Sequence, residues 1–178
     1  MNIYVMRKLA FVCCFFAIGH TFAQKSDSLF QVQYTNALNK LNDGAYREAS
    51  AQLSQLIGAG FTNPEAYLKR GVAFVQLKEY EKAKPDFDQA SKAGIAIAEL
   101  FEFRGMMRYA LKDWKGAVDD LEKVTSTGRS DVEIFQKIGI AKYSLQDYKG
   151  AADALAKVVQ RGVKDKEVFS MLGLSLGK

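Results

Sequence analysis

Tyr67–Ala83, YLKRGVAFVQLKEYEKA, decides the reading of this chain. An aromatic at Tyr67 is followed by Gly71, a second aromatic at Tyr80, and Ala83. Shifted by 34 residues, the order returns as Phe101, Gly105, Trp114 and Ala117, and after another 34 as Phe135, Gly139, Tyr148 and Ala151. A weaker copy precedes it at Ala37, Tyr46 and Ala49, and a half copy follows at Phe169 and Gly173. The same register carries Gly60, Gly94, Gly128 and Gly162, and also Glu65, Glu99, Glu133 and Glu167. A period of this length marks a stack of supersecondary units, each too small to bury its own outer face.

Within each unit the apolar residues fall at helical spacing. The first helix runs over 29–41, with Phe30, Tyr34, Ala37, Leu38 and Leu41 on one side, and breaks at Asn42-Asp43-Gly44. Tyr46 to Ile57 follows, with Tyr46, Ala49, Leu53 and Leu56 on one face. Further helices are predicted near 64–77, 80–92, 97–111, 114–126, 131–145 and 148–160, with another starting near Asp165. Helix starts are marked by Asn63 with Pro64, or by Thr62 with Glu65, and by the Ser130–Glu133 pair. Glycine closes the second helix of each pair. No stretch alternates long enough to form a strand. The turns inside each pair are two or three residues long, which makes neighbouring helices antiparallel. Pro85, inside the 80–92 helix, removes a backbone hydrogen bond, which predicts a local kink; the alternative is a tolerated surface proline. Gly71 and Ala83 are expected where the helices of a pair approach closest, with Tyr67 and Phe87 filling the wider space beside the crossing. Tyr80, Trp114 and Tyr148 are placed to wedge against the preceding helix.

The period and the aromatic–glycine–aromatic–alanine order resemble tetratricopeptide repeats (TPRs) over residues 30–178. The resemblance implies an all-α, right-handed solenoid of antiparallel helix pairs. Its units would be 30–63 (degenerate), 64–97, 98–131 and 132–165, with 166–178 a half repeat or capping helix. Two features depart from the pattern. The repeat-closing proline is replaced by glycine-bearing loops, and Arg70 and Arg104 stand where leucine is usual, whereas Ile138 and Leu172 fit. The arginines are expected to lay their stems on the core and turn their heads to solvent.

The resemblance also implies a concave groove lined by the first helix of each pair. It would present Leu68, Val72 and Val75, then Glu102, Met106 and Tyr109, then Gln136, Ile140 and Tyr143. Each trio has i, i+4, i+7 spacing and shares one helical face. Such a groove suits an extended peptide or a helix; the alternative is that these residues pack between helices. The clamp that some members use for C-terminal carboxylates is not matched by Tyr34, Leu38, Leu68, Val72, Glu102 and Met106. The glutamate column reads as first-turn carboxylates opposing the helix dipole, or as a surface for a basic ligand.

Residues 1–23 have the layout of a secretory signal: Arg7-Lys8, an apolar run from Leu9 to Gly19, and Thr21-Phe22-Ala23 before a cut at Gln24. An uncleaved anchor is the alternative, and lipidation at Cys13 or Cys14 is disfavoured by Phe11 and Val12. Residues 24–29 read as a polar leader. Export to the periplasm or beyond follows as an expectation. Cleavage takes Arg7 and Lys8 but no acid, so the formal charge of +5 falls by two, to +3. It also takes both cysteines and the single histidine, His20. A mature chain without Cys or His lacks the usual zinc ligands and the imidazole of triad and Cys-His enzymes. No phosphate-cradling glycine loop is present. The expectation is a non-catalytic chain without cofactor, metal or nucleic acid, binding another protein or peptide. Two other classes remain as alternatives. The pI near 9.1 suggests a binder of nucleic acid or an anionic envelope polymer, which the modest mature charge and scattered basic residues disfavour. A carboxylate-dependent glycan enzyme would need converging acids such as Glu99 and Glu102.

Met171, Leu174 and Leu176 leave the last helix apolar where a terminal repeat should be polar. Either the sequence belongs to a longer one, or this edge docks onto another chain, self-association included, or the helix is an imperfect cap.

Overall fold

The computed structural model describes residues 28–129 and 131–177, and every regular element among them is a helix. The signal-sequence expectation and the Ser130 cap fall outside these residues. The described chain divides into two compact units between Thr62 and Asn63.

The first unit holds α1 (28–42) and α2 (Tyr46–Gly58). Tyr34, Ala37, Ala49, Leu53 and Leu56 are buried in it. Past α2, Phe61 turns back so that its ring lies 5.3 Å from Tyr34 and 5.8 Å from Phe30.

The second unit holds α3 (Pro64–Gln76), α4 (Tyr80–Lys92), α5 (Ala98–Ala110), α6 (Trp114–Ser126), α7 (Val132–Ser144), α8 (Tyr148–Gln160) and α9 (Lys166–Leu176). Consecutive helices pack as antiparallel neighbours, and α3 also touches α5, as α7 touches α9. The caps explain where the helices begin. Asn63 Oδ1 accepts from Glu65 N at 2.9 Å, so Asn63 rather than Thr62 opens α3. Asp113 and Asp147 accept from Gly116 N and Gly150 N at the starts of α6 and α8, and Asp165 from Glu167 N at the start of α9. Asp131 stands at the N-cap of α7 without a side-chain cap bond. Helix α4 runs through exposed Pro85 as one element.

The two kinds of turn end their helices differently. After α4, α6 and α8 the left-handed position is taken by Gly94, Gly128 and Gly162, with φ between 84° and 89°. After α3, α5 and α7 it falls on Lys78, Lys112 and Gln146, with φ of 60°, 62° and 65°. A side chain there costs of order 1 kcal/mol.

Close packing within a pair centres on the glycine, as expected, but its neighbour differs. A Cβ on Gly71 would lie 2.9 Å from the Phe87 ring, on Gly105 2.8 Å from Leu121, and on Gly139 2.6 Å from Leu155. The side chain pressed onto each glycine is therefore the large residue four positions after the alanine. Phe87, Leu121 and Leu155 are fully buried there. The aromatic wedges form as Trp114 on Tyr109 at 5.4 Å and Tyr148 on Tyr143 at 5.5 Å, both edge to face.

Arg70 and Arg104 correct the sequence reading. Their heads turn inward rather than to solvent. Arg70 grips Asp86 through Nε and Nη2 at 2.8 and 2.7 Å, and Arg104 grips Asp120 at 2.7 and 2.8 Å. Asp86 is 2% exposed and Asp120 is 0% exposed. A buried carboxylate needs such a partner, and a bidentate guanidinium satisfies both oxygens. Asp120 also accepts from Arg108 Nη1 at 2.8 Å, and Arg104 Nη1 donates to Ser91 Oγ at 2.5 Å. Burial pushes the Asp86 carboxyl above its ordinary value even against Arg70, while hydrogen bonding to Asp86 and Asp120 raises both guanidinium values.

Candidate helical docking face

The groove that the resemblance implies divides in two. Leu68, Val72 and Val75 on α3 are 0%, 4% and 8% exposed. They are core residues here and offer no surface. The i, i+4, i+7 spacing placed them on one face but could not tell a covered face from an open one. Glu102, Met106 and Tyr109 on α5, and Gln136, Ile140 and Tyr143 on α7, are all half-buried. Bodies held by the core and edges left to solvent are what a contact surface needs.

Several links tie α5 to α7. Arg129, in the turn before α7, forms a forked pair with Glu102 and reaches Asp131 at 2.8 Å. The Lys137 ammonium sits 5.1 Å above the Tyr109 ring while bonding Glu133 at 3.0 Å. Phe101 packs against the buried group of Leu121, Val124, Ile134, Ile138 and Ala154. Burial, with Glu167 adding to it, raises the Tyr109 phenol above its ordinary value, which keeps it a hydrogen-bond donor.

The acid column behaves as first-turn carboxylates: Glu65, Glu99, Glu133 and Glu167 all lie in the first turn of a helix. Glu99 gains a cross-helix partner, Lys69 Nζ at 2.6 Å. Glu99 and Glu102, the candidates for acid chemistry, are thus each held by a cation. Among the described residues no three His, Cys, Asp or Glu side chains cluster to hold a metal, and no helix is long and apolar enough to cross a membrane.

The expected edge on α9 also divides. Met171 packs against the buried Phe135, Leu155, Val158 and Val168. Leu174 is 51% and Leu176 73% exposed. Phe169, at 46%, shares a helical face with Gly173 and Leu176.

Paired antiparallel helices, glycine notches and aromatic-braced turns define a stacked helix-pair repeat protein. A tetratricopeptide-repeat profile matches residues 65–93, the span of α3 and α4. The fold is that of solved TPR structures. A point mutant of MamA superposes with TM-score 0.77 at 16% identity, covering 85% of this chain and 88% of that one. A MamA fragment from Desulfovibrio magneticus RS-1 gives 0.67 at 20% identity, with 82% of each chain covered. YrrB, described as a TPR protein with an unusual peptide-binding site, gives 0.69 at 21% identity, covering 81% of this chain and 75% of that one. No curated protein matches by sequence.

Proposed function

We propose that this chain is a non-catalytic TPR scaffold that binds a protein segment through the α5–α7 face. The observation that carries the reading is the set Met106, Tyr109, Ile140 and Tyr143, half-buried side chains braced from behind by the core and by Trp114 and Tyr148. The peptide-binding site of YrrB, on the same fold, supports it. The face's charges are spent internally, Glu102 on Arg129 and Lys137 on Glu133. Its ligand is therefore an extended or helical segment recognised by apolar side chains and phenol hydrogen bonds. Peptides selected from a random display library on the intact protein should be rich in apolar residues. Their affinity should change by less than about threefold between 50 and 300 mM salt. Selection of basic or acidic peptides with steep salt dependence would contradict the reading, and strong salt-sensitive binding of nucleic acid would favour the rival class.

The pattern over residues 1–23 supports export of this scaffold. N-terminal sequencing of envelope-fraction protein should begin at Gln24; an intact Met1 in a cytoplasmic fraction would contradict it.

A further inference from the structure

One repeat register carries lysine on two first helices, Lys69 on α3 and Lys137 on α7. The two side chains are buried alike, 23% and 22% exposed, yet they turn to different partners. Lys69 reaches forward to Glu99, in the first turn of α5, at 2.6 Å. The matching forward partner of Lys137 is Glu167, in the first turn of α9. Lys137 does not take it. Its ammonium lies back over the Tyr109 ring, 5.1 Å from the centroid, and bonds Glu133 on its own helix at 3.0 Å. Glu167 is exposed and, among the described residues, paired with no cation. Its charge is felt at the Tyr109 phenol, so it stands within electrostatic reach of the covered ring. Tyr143, the counterpart of Tyr109 one repeat later, has the same edge-to-face brace but no cation over its ring among the described residues. Met171, in the register of Lys137, packs against the buried group of α7, α8 and α9 instead.

We propose that Lys137 is a displaceable cover on the α5–α7 face: a segment seating on Tyr109 lifts the ammonium off the ring and sends it forward to Glu167. This rests on the α5–α7 reading and adds what governs access to that face. The forward arrangement is one the fold already uses, in Lys69 and Glu99. A cation over an aromatic ring is attracted by the ring's negative face, so an apolar side chain must replace that attraction to reach Tyr109. The ammonium keeps a carboxylate in both positions, Glu133 in one and Glu167 in the other, so the move leaves no cation unpaired. Tyr143 is open to a ligand without any such move. The two matched tyrosines are therefore unequal, and Lys137 makes the difference.

The probe is an apolar peptide selected from the display library on the intact protein. Ile140→Asp should weaken its binding at least about tenfold, which places it on the face. If it does not, the α5–α7 reading fails and the cover falls with it. In the free chain the Lys137 ε-methylene protons should resonate upfield of an ordinary lysine, shielded by the Tyr109 ring. They should return to the ordinary position as the peptide saturates the protein. Lys137→Ala uncovers the ring and should tighten binding about threefold, whereas Lys137→Arg keeps a cation there and should bind as the parent does. Glu167→Gln removes the forward seat and should weaken binding about threefold in the parent, but not in the Lys137→Ala background. A merely structural lysine would give the opposite sign, a lower Tm with weaker binding. Two results overturn the proposal while leaving the face standing. One is Lys137 protons that stay shielded at saturation, a measurement on the unmodified chain. The other is a Lys137→Ala variant that binds the peptide no more tightly than the parent.

Discussion

Helix pairs α5–α6 and α7–α8 share one backbone plan and hold it together with different chemistry. In α5–α6 the interior position on the first helix is Arg104, locked onto the fully buried Asp120. In α7–α8 the same two positions are Ile138 and Ala154, both buried. Pair α3–α4 follows the charged solution with Arg70 and Asp86. Yet Met106 and Tyr109 on the charged pair, and Ile140 and Tyr143 on the apolar pair, are half-buried alike. The difference teaches that the interior and the face are specified by separate positions. An ion pair and an apolar pair are interchangeable inside, provided each is complete.

The largest effect should come from leaving a pair incomplete. Asp120→Ala strands Arg104 beside its lost partner and should destabilise the protein by about 3–5 kcal/mol, read by urea unfolding. A loss below about 1 kcal/mol would mean that the arginines reach water without cost. Next, Gly139→Ala forces a methyl into Leu155 and should cost about 1–3 kcal/mol. Gly173→Ala, at the equivalent but open position, should gain up to about 1 kcal/mol. Opposite signs at two matched glycines would sharpen the contrast between a covered and an uncovered helix.

Completing the exchange should be mild. Arg70→Ile with Asp86→Ala copies the α7–α8 interior and should be neutral or stabilising by about 1–3 kcal/mol, although Asp86→Ala alone is costly. The pH dependence has a definite sign. Burial holds the Asp86 carboxyl above its ordinary value. Its contribution is therefore fully present below the unfolded carboxylate range and is lost as pH rises through the raised native value. The double variant lacks the group, so its stability relative to the parent should rise across that window; a fall would reverse the assignment. The smallest effect belongs to the turns. Lys112→Gly relieves a left-handed lysine and should gain about 0.5–1 kcal/mol, as should Gln146→Gly in the neighbouring pair.

The helices and their stacking were legible because the 34-residue period fixes them many times over, through glycines at the turns and notch positions. The buried ion pairs were not legible, although Arg70 and Asp86, and Arg104 and Asp120, stand equally far apart in successive repeats. A single arginine at an interior position reads as a snorkelling side chain until the facing helix is in register. The face was half legible for a related reason. Leu68, Val72 and Val75 have the same spacing as Met106 with Tyr109 and Ile140 with Tyr143, and spacing says which residues point together, not what covers them. On α9, Met171 was grouped with Leu174 and Leu176 by hydropathy, whereas the helix turns it onto α8 and leaves Phe169 and Gly173 outward.

The most direct test of the α5–α7 face is a map of backbone amide shifts while the intact protein is titrated with a selected peptide. The largest changes should centre on Met106, Tyr109, Ile140 and Tyr143, and should persist in the Arg70→Ile, Asp86→Ala variant. Changes centred on α9, or on α4, α6 and α8, would contradict it.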